Sequence, residues 1–277
     1  MDLLRQSGES LAGRIAYLEL GPLDVSEVQA PDRESLWERG GFPDGFLAAD
    51  DRRSFQWRQN FIRTYLERDI PQFGPRIPAE TLRRFWVMLA HSQGGLLNAA
   101  ALARGLGVDA KTVSRYLDLM ADLLLVRRLP PWRGATQKRL VKSAKVYIRD
   151  SGIVHALLGL VSREDLLGHP VVGASWEGFV IETLVSLLPQ GSEASYYRSS
   201  GGAEIDLVVT LPGRRPWAIE VKRNLNPRPR KGFHSACGDV RPESKYVVYP
   251  GTERYQITSD TEAVPLGDLA GELHRAT

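Results

Sequence analysis

Four ionisable residues in the C-terminal half, Glu177, Asp206, Glu220 and Lys222, are set in apolar runs, where they either meet water at a strand edge or form a site. Asp206 lies inside the apolar run Ile205 to Thr210, and Glu220 and Lys222 bracket Val221 at the end of a second run that begins at Trp217. Both runs have strand composition, and Leu211 to Pro216 between them is turn sequence. Strand side chains alternate faces, so Glu204, Asp206 and Val208 are expected on one face, and Ala218, Glu220 and Lys222 on one face of the next strand. Paired as a hairpin, the two strands would bring Asp206, Glu220 and Lys222 together. Upstream, Ser175 to Leu188 has helical periodicity, with Trp176, Phe179, Val180, Thr183, Leu184 and Leu187 on one apolar face. Glu177 falls inside that arc, whereas Glu182 falls opposite and is expected to be solvated.

Burying these carboxylates is costly without partners or a metal. Magnesium and manganese prefer hard oxygen ligands, which makes Asp206, Glu220 and Glu177 the candidate metal ligands, with the Val221 carbonyl as a possible extra one. Water bound to such an ion loses a proton more readily and can attack a phosphodiester. Lys222 would orient that water or stabilise charge on the phosphate. The candidate catalytic set is therefore Glu177, Asp206, Glu220 and Lys222. Glu204 would serve as an auxiliary ligand or line the rim.

The elements that position this set are legible as a helix (Ser175 to Leu188), three strands (Ala194 to Arg198, Ile205 to Thr210, Trp217 to Val221), a short helix within Lys231 to Gly238, and a strand from Lys245 to Tyr249. The order α-β-β-β-α-β predicts an α/β sandwich within residues 151–277. Before it, Ser151 to Leu160 reads as a short helix, with His155 and His169 as structural residues rather than ligands. Residues 79–150 read as three helices and two strands. The helices are Thr81 to His91, Ala99 to Leu106 capped by Asn98, and Ala110 to about Leu124 capped by Asp109. The strands are Leu124 to Leu129 and Lys145 to Ile148. This is the pattern of a winged helix. Residues 51–78 form a helical linker whose amphipathic helix is expected to end at Pro71, Pro75 and Pro78. In residues 1–50, Ile15 to Leu20 reads as a strand and Arg39 to Pro43 as a turn.

Composition agrees with a cored globular chain. Of 277 residues, 43% are hydrophobic and 25% charged, values ordinary for a folded soluble protein. No apolar run reaches the roughly 18 residues of a membrane span. The N-terminus lacks the apolar core of a secretory signal. One cysteine, Cys237, leaves no internal disulfide, and the expected compartment is the cytoplasm. Net charge is only +3, but no acidic residue interrupts Arg127 to Arg149. A second basic cluster holds Lys222, Arg223, Arg228, Arg230 and Lys231. Such clusters suit a polyanion, and DNA is the expected partner. The candidate contacts are Lys111 and Arg115 on the third helix of the middle region, with Arg127, Arg128, Lys138, Arg139 and Lys142 after it. The alternative is a solvated arginine-rich face.

Glu177 on a helix, Asp206 on a strand and Glu220-Val221-Lys222 on the next strand resemble the PD-(D/E)xK nuclease superfamily. Longer phrases, among them YLERDIP, RRFWVMLAHSQGGLLNAAALARGLGV, TVSRYLDLMADLLLVRRLPPW, WEGFVIETL, YYRSSGGAEIDLVV and AIEVK, resemble a bacterial and archaeal AAA-type ATPase family. That resemblance implies an N-terminal ATPase core, a winged helix and a C-terminal domain of unknown function with a nuclease-like fold. It implies an α+β multidomain chain, with residues 1–50 the remnant of a largely absent ATPase core. Nowhere does the chain carry G-x-x-x-x-G-K-[ST], so ATP is not an expected cofactor. Two functions are open at this point: a Mg- or Mn-dependent nuclease acting on DNA, and a catalytically inactive DNA- or protein-binding regulatory module. A homo-oligomer or a protein partner is open as well.

Overall fold

Residues 19–73, 77–134, 136 and 138–276 are described by a computed structural model. The expected strand at Ile15 lies outside these residues, except for Glu19 and Leu20, which belong to no strand. The chain is α+β, with a helical N-terminal region and a mixed C-terminal sheet.

The N-terminal region opens with α1 (Arg33–Arg39), α2 (Pro43–Phe46) and α3 (Asp51–Thr64). Asp50 caps α3 by accepting from the Arg53 amide. The helical path does not stop at Pro71. It widens into a π-type turn at Tyr65–Asp69 and continues as α4 (Ile70–Phe73). A proline lacks an N–H and presses on the carbonyl four residues back; a wide turn just before it is one way a helix relieves that clash. Next come α5 (Ala79–His91), β1 (Gly95–Leu96), α6 (Ala99–Leu106), α7 (Ala110–Asp122), β2 (Val126–Leu129) and β3 (Lys145–Ile148). Asn98 and Asp109 cap α6 and α7 as expected. The strands form a small antiparallel sheet in the order β1-β3-β2. The two-residue β1 was not legible in the sequence.

Two short helices, α8 (Ser151–Leu157) and α9 (Arg163–Leu167), lead to α10 (Val172–Ser186). The expected order then appears as β4 (Glu193–Arg198), β5 (Glu204–Thr210), β6 (Trp217–Val221), α11 (Lys231–Val240) and β7 (Ser244–Tyr249). Beyond it come β8 (Tyr255–Thr258), β9 (Thr261–Pro265) and α12 (Leu266–Arg275). The sheet order is β4-β5-β6-β7-β9-β8. β4, β5 and β6 form an antiparallel meander, β6, β7 and β9 are parallel, and β8 is an antiparallel edge. The crossover helix α11 packs on β5, while α10 and α12 pack together over the sheet's other face.

A central position of α10 explains why its pattern is apolar nearly all round. Trp176, Phe179, Val180, Ile181 and Leu184 are buried, and the helix packs on α8, α12 and β6. One apolar core runs from Val25 through the helices to Leu273, and a smaller one lies under α11. One set of polar groups inside the larger core is hydrogen-bonded in series. The Trp37 indole N–H donates to Ser175 Oγ (3.1 Å), which lies 2.6 Å from His155 Nε2, and His155 Nδ1 lies 2.8 Å from the Glu38 carbonyl. Burial keeps the imidazole neutral, so Nδ1–H donates to the Glu38 carbonyl and Nε2 accepts from the Ser175 hydroxyl. His155 thereby ties α8 to α1, and Asp150 ties it to the turn at Gly40-Gly41. The Gly41 amide donates to Asp150 Oδ2 at 2.8 Å. A Cβ on Gly152 would meet the Arg39 carbonyl oxygen at 2.0 Å.

Burial pushes the His155 pKa down to about 3. The unfolded state therefore binds a proton below about pH 6.5 that the folded state refuses, and stability falls as pH drops through that window. Between about pH 7 and about pH 5.5 this single group removes about 1 kcal/mol. Urea unfolding of wild type and His155→Gln should show the difference between them shrinking by about that amount at the lower pH; a constant difference would contradict a buried neutral imidazole.

Candidate functional site

The site forms where β3 faces α10 and the start of β5. Lys145 and Tyr147 are two residues apart on β3 and both reach Glu177 on α10. The Tyr147 hydroxyl donates to Glu177 Oε1 at 2.6 Å, and Lys145 Nζ lies 3.1 Å from the same oxygen. Lys145 Nζ is also 2.9 Å from Glu204 Oε1 and 3.8 Å from Asp206 Oδ1. Its side chain is only 5% exposed, and the Tyr196 ring centre lies 5.6 Å away. Arg198 approaches the far oxygen of Glu204 at 3.8 Å. Close approach of the two layers requires missing side chains. Gly94, at φ +70°, would place a Cβ 3.1 Å from the Tyr147 ring, and Gly178 would place one 2.4 Å from Gln93 Nε2.

An irregularity in β5 decides which way Asp206 points. Ser195 pairs with Val208, but Tyr197 pairs with Ile205. Two residues, Asp206 and Leu207, thus oppose Tyr196 alone, as in a β-bulge. The expected alternation of Glu204, Asp206 and Val208 is broken here. Ile205 and Val208 both join the core under α11, and Leu207 joins the core that contains α10. Asp206 Oδ2 accepts from the Val221 amide at 2.9 Å, which leaves Oδ1 towards Lys145.

Glu220 and Lys222 form a separate pair. Lys222 Nζ is ion-paired with Glu220, which also accepts from the Arg230 amide at 3.2 Å. The structure therefore brings Glu177, Asp206 and Glu204 together around Lys145, and Glu220 to Lys222. It does not gather the four predicted residues in one shell. Lys145 and Tyr147 were missed as site residues. Their signal was a charged residue and a phenol inside a strand otherwise buried throughout.

Electrostatics follow burial. Desolvation raises the Glu177 pKa, Asp206 adds to it, and Lys145 and Tyr147 oppose it. Desolvation also raises Glu220, against the pull of Lys222, with Asp206 again adding to the rise. Burial alone would lower the Lys145 pKa, but Glu177, Asp206 and Glu204 outweigh it and hold the ammonium charged. Burial and Glu177 keep the Tyr147 phenol protonated.

These donors do not fit a divalent metal in this arrangement. Glu177 Oε1 is engaged by the Tyr147 phenol and the Lys145 ammonium, Glu204 Oε1 by the same ammonium, and Asp206 Oδ2 by the Val221 amide. Among the described residues no group of three or more His, Cys, Asp or Glu is placed to hold a metal ion.

The basic candidates divide sharply. Lys111 and Arg115 are exposed on α7, opposite buried Val113, Leu117 and Met120, and Arg139 and Lys142 are exposed after β2. Arg127 is instead paired with Glu182 at 2.5 Å, and Arg149 holds the same carboxylate at 2.6 Å. Glu182 is accordingly not solvated: its side chain is 16% exposed. The polar side of α10 is covered by the small sheet, which a helical wheel alone cannot show. Arg128 pairs with Asp118 at 2.7 Å and Lys138 with Asp239 at 2.8 Å.

Comparison with known proteins adds two family matches. Residues 30–164 match "Domain of unknown function (DUF8612)", and residues 172–269 match "Domain of unknown function (DUF4143)". The chain is 45% identical over 268 residues to "Uncharacterized protein Rv2008c" of Mycobacterium tuberculosis and, equally, to "Uncharacterized protein Mb2031c" of Mycobacterium bovis. Each alignment covers 97% of this chain and 60% of the relative, so the chain spans less than two thirds of the length of these relatives. No solved structure matches the chain. No helix among the described residues is long and apolar enough to cross a membrane.

The Tyr147–Glu177 bond is a part-buried hydrogen bond to a charged group, a class worth about 1.5–3 kcal/mol. Tyr147→Phe should lower the unfolding free energy by about that amount in urea denaturation, and Arg198→Ala, at a partly exposed pair, by less than about 1 kcal/mol. Equal small losses would mean that the phenol does not support the carboxylate.

Proposed function

We propose that the chain is a DNA-binding module whose C-terminal domain keeps a nuclease-like fold as a binding platform rather than as a hydrolase. Helices α5, α6 and α7 followed by β2 and β3 support a winged-helix reading, and the order from α10 to β7 supports a restriction-endonuclease-like one. The resemblance to AAA-type ATPases supports a regulatory role beside such a core in a longer protein.

The observation that carries DNA binding is the state of α7. Lys111 and Arg115 stand exposed in its first two turns and join no ion pair among the described residues, whereas Arg127, Arg128 and Lys138 are already paired with carboxylates. A helix with exposed cations in its first two turns suits phosphate and base-edge contacts in a major groove. Fluorescence anisotropy with a short labelled duplex should show salt-dependent binding. Lys111→Ala with Arg115→Ala should weaken it by on the order of 10-fold and lower the salt slope by about 2. Salt-independent binding, or an unchanged affinity in the double variant, would remove the basis of this reading.

One observation favours a hydrolytic reading. Asp206 lies close enough to both Glu177 and Glu220 to raise the pKa of each, so a rearrangement that frees the carboxylates could unite the predicted set. Supercoiled plasmid incubated with magnesium or manganese should then be nicked by wild type and spared by Asp206→Ala and Lys222→Ala. Intact plasmid in all lanes supports the platform; nicking lost in both variants would replace it with a nuclease.

A further inference from the structure

A buried ammonium among carboxylates from two other elements calls for an explanation beyond surface charge. Lys145 lies within the long basic stretch, yet its side chain is nearly inaccessible and cannot meet a polyanion. Its Nζ is instead within 4 Å of Glu177 from α10 and of Glu204 and Asp206 from β5. Those are the helix and the strand to which the nuclease resemblance assigns metal-holding carboxylates. The surrounding groups all support a cation at this point. The Tyr147 hydroxyl donates to Glu177 and so fixes one acceptor. The Val221 amide holds Asp206 with its second oxygen turned towards Nζ. The Tyr196 ring lies on another side. Three carboxylates against one ammonium leave negative charge over, offset only by Arg198 at 3.8 Å from Glu204. The spacings of 2.9–3.8 Å suit N–H donors; they are far longer than the roughly 2.0–2.6 Å of oxygen bound to magnesium or calcium.

We infer that Lys145 is the resident cation of this carboxylate pocket, seated in place of a divalent metal, and that removing its ammonium opens the pocket to a divalent cation. Lys145 belongs to the small N-terminal sheet, and the carboxylates belong to the C-terminal unit. The same ammonium therefore also clasps β3 to α10 and β5. This rests on the reading of the pocket as closed to metal, and not on DNA binding by α7, which the test below leaves untouched.

The experiment is calorimetric titration of the whole chain with Mn²⁺ alone. It compares wild type, Lys145→Ala, Lys145→Gln, and Lys145→Ala combined with Asp206→Asn, with circular dichroism to check folding. Wild type should show no site dependent on Asp206. The two single variants should bind one Mn²⁺ at least on the order of 10-fold more tightly than wild type, with a matching rise in melting temperature. Asp206→Asn should abolish both effects. A variant that is unfolded alone and refolds with Mn²⁺ supports the inference equally. An Asp206-dependent Mn²⁺ site in wild type as tight as in the variants overturns it. So do folded variants that bind no Mn²⁺, and unfolded ones that Mn²⁺ fails to refold. If DNA affinity fails its own test while these results hold, the pocket stands and the α7 proposal falls.

Discussion

A charge removed from water must be met by opposite charge and by hydrogen bonds, and here that requirement ties two sheets together. Lys145 is tolerable on a buried strand only because Glu177, Glu204 and Asp206 surround it. The carboxylates are tolerable at the base of the C-terminal sheet only because Lys145 and Tyr147 reach them. Neither side is stable in place without the other, and stranding one partner of such a group costs about 3–5 kcal/mol. Such a cluster is weak evidence of net stability, since apolar residues could fill the same volume. Its effect is on arrangement: only one placement of β3 against α10 brings these charges together.

Helix α10 carries that arrangement through the molecule. Its Trp176, Phe179 and Leu184 lie in the main core, and three polar positions along it have partners in other elements. Ser175 meets Trp37 and His155, Glu177 meets β3, and Glu182 meets Arg127 and Arg149. Arg223 extends the pattern at the rim, 4.6 Å over the Trp37 ring and 2.6 Å from Glu34. The helix thus packs by apolar area and is set in rotation by three polar anchors.

Local patterns were read well from the chain. Caps at Asn98 and Asp109, the hairpin of β5 and β6, and the order from α10 to β7 depend on neighbouring residues, and neighbouring residues show them. What depends on distant partners was read less well. Glu182 looks solvated on a helical wheel because the wheel omits the sheet that supplies Arg127. Lys145 looks like one more residue of a basic stretch because the carboxylates that claim it are 32 or more positions away. Pro71 looks like a helix end because the wide turn before it leaves no clear mark in sequence. The inward placement of Glu177 was legible, since an apolar arc with one carboxylate is a local pattern. The separation of Glu220 from it was not, because which face of β6 lies under α11 and which under α10 is set by distant layers.

The bulge at Asp206 and Leu207 has a consequence for how such a chain can diverge. An indel of one codon normally reverses every side chain beyond it along a strand. In β5 the extra residue is absorbed at one point, so Val208 onward keeps its pairing with β6 while Glu204 and Asp206 face Lys145. Deleting the codon for Leu207 would restore strict alternation and leave Glu204 and Asp206 on the side of Lys145. The bulge is therefore a point at which the strand can change length by one residue without turning its acidic end away from Lys145 or shifting the pairing of Val208 onward with β6.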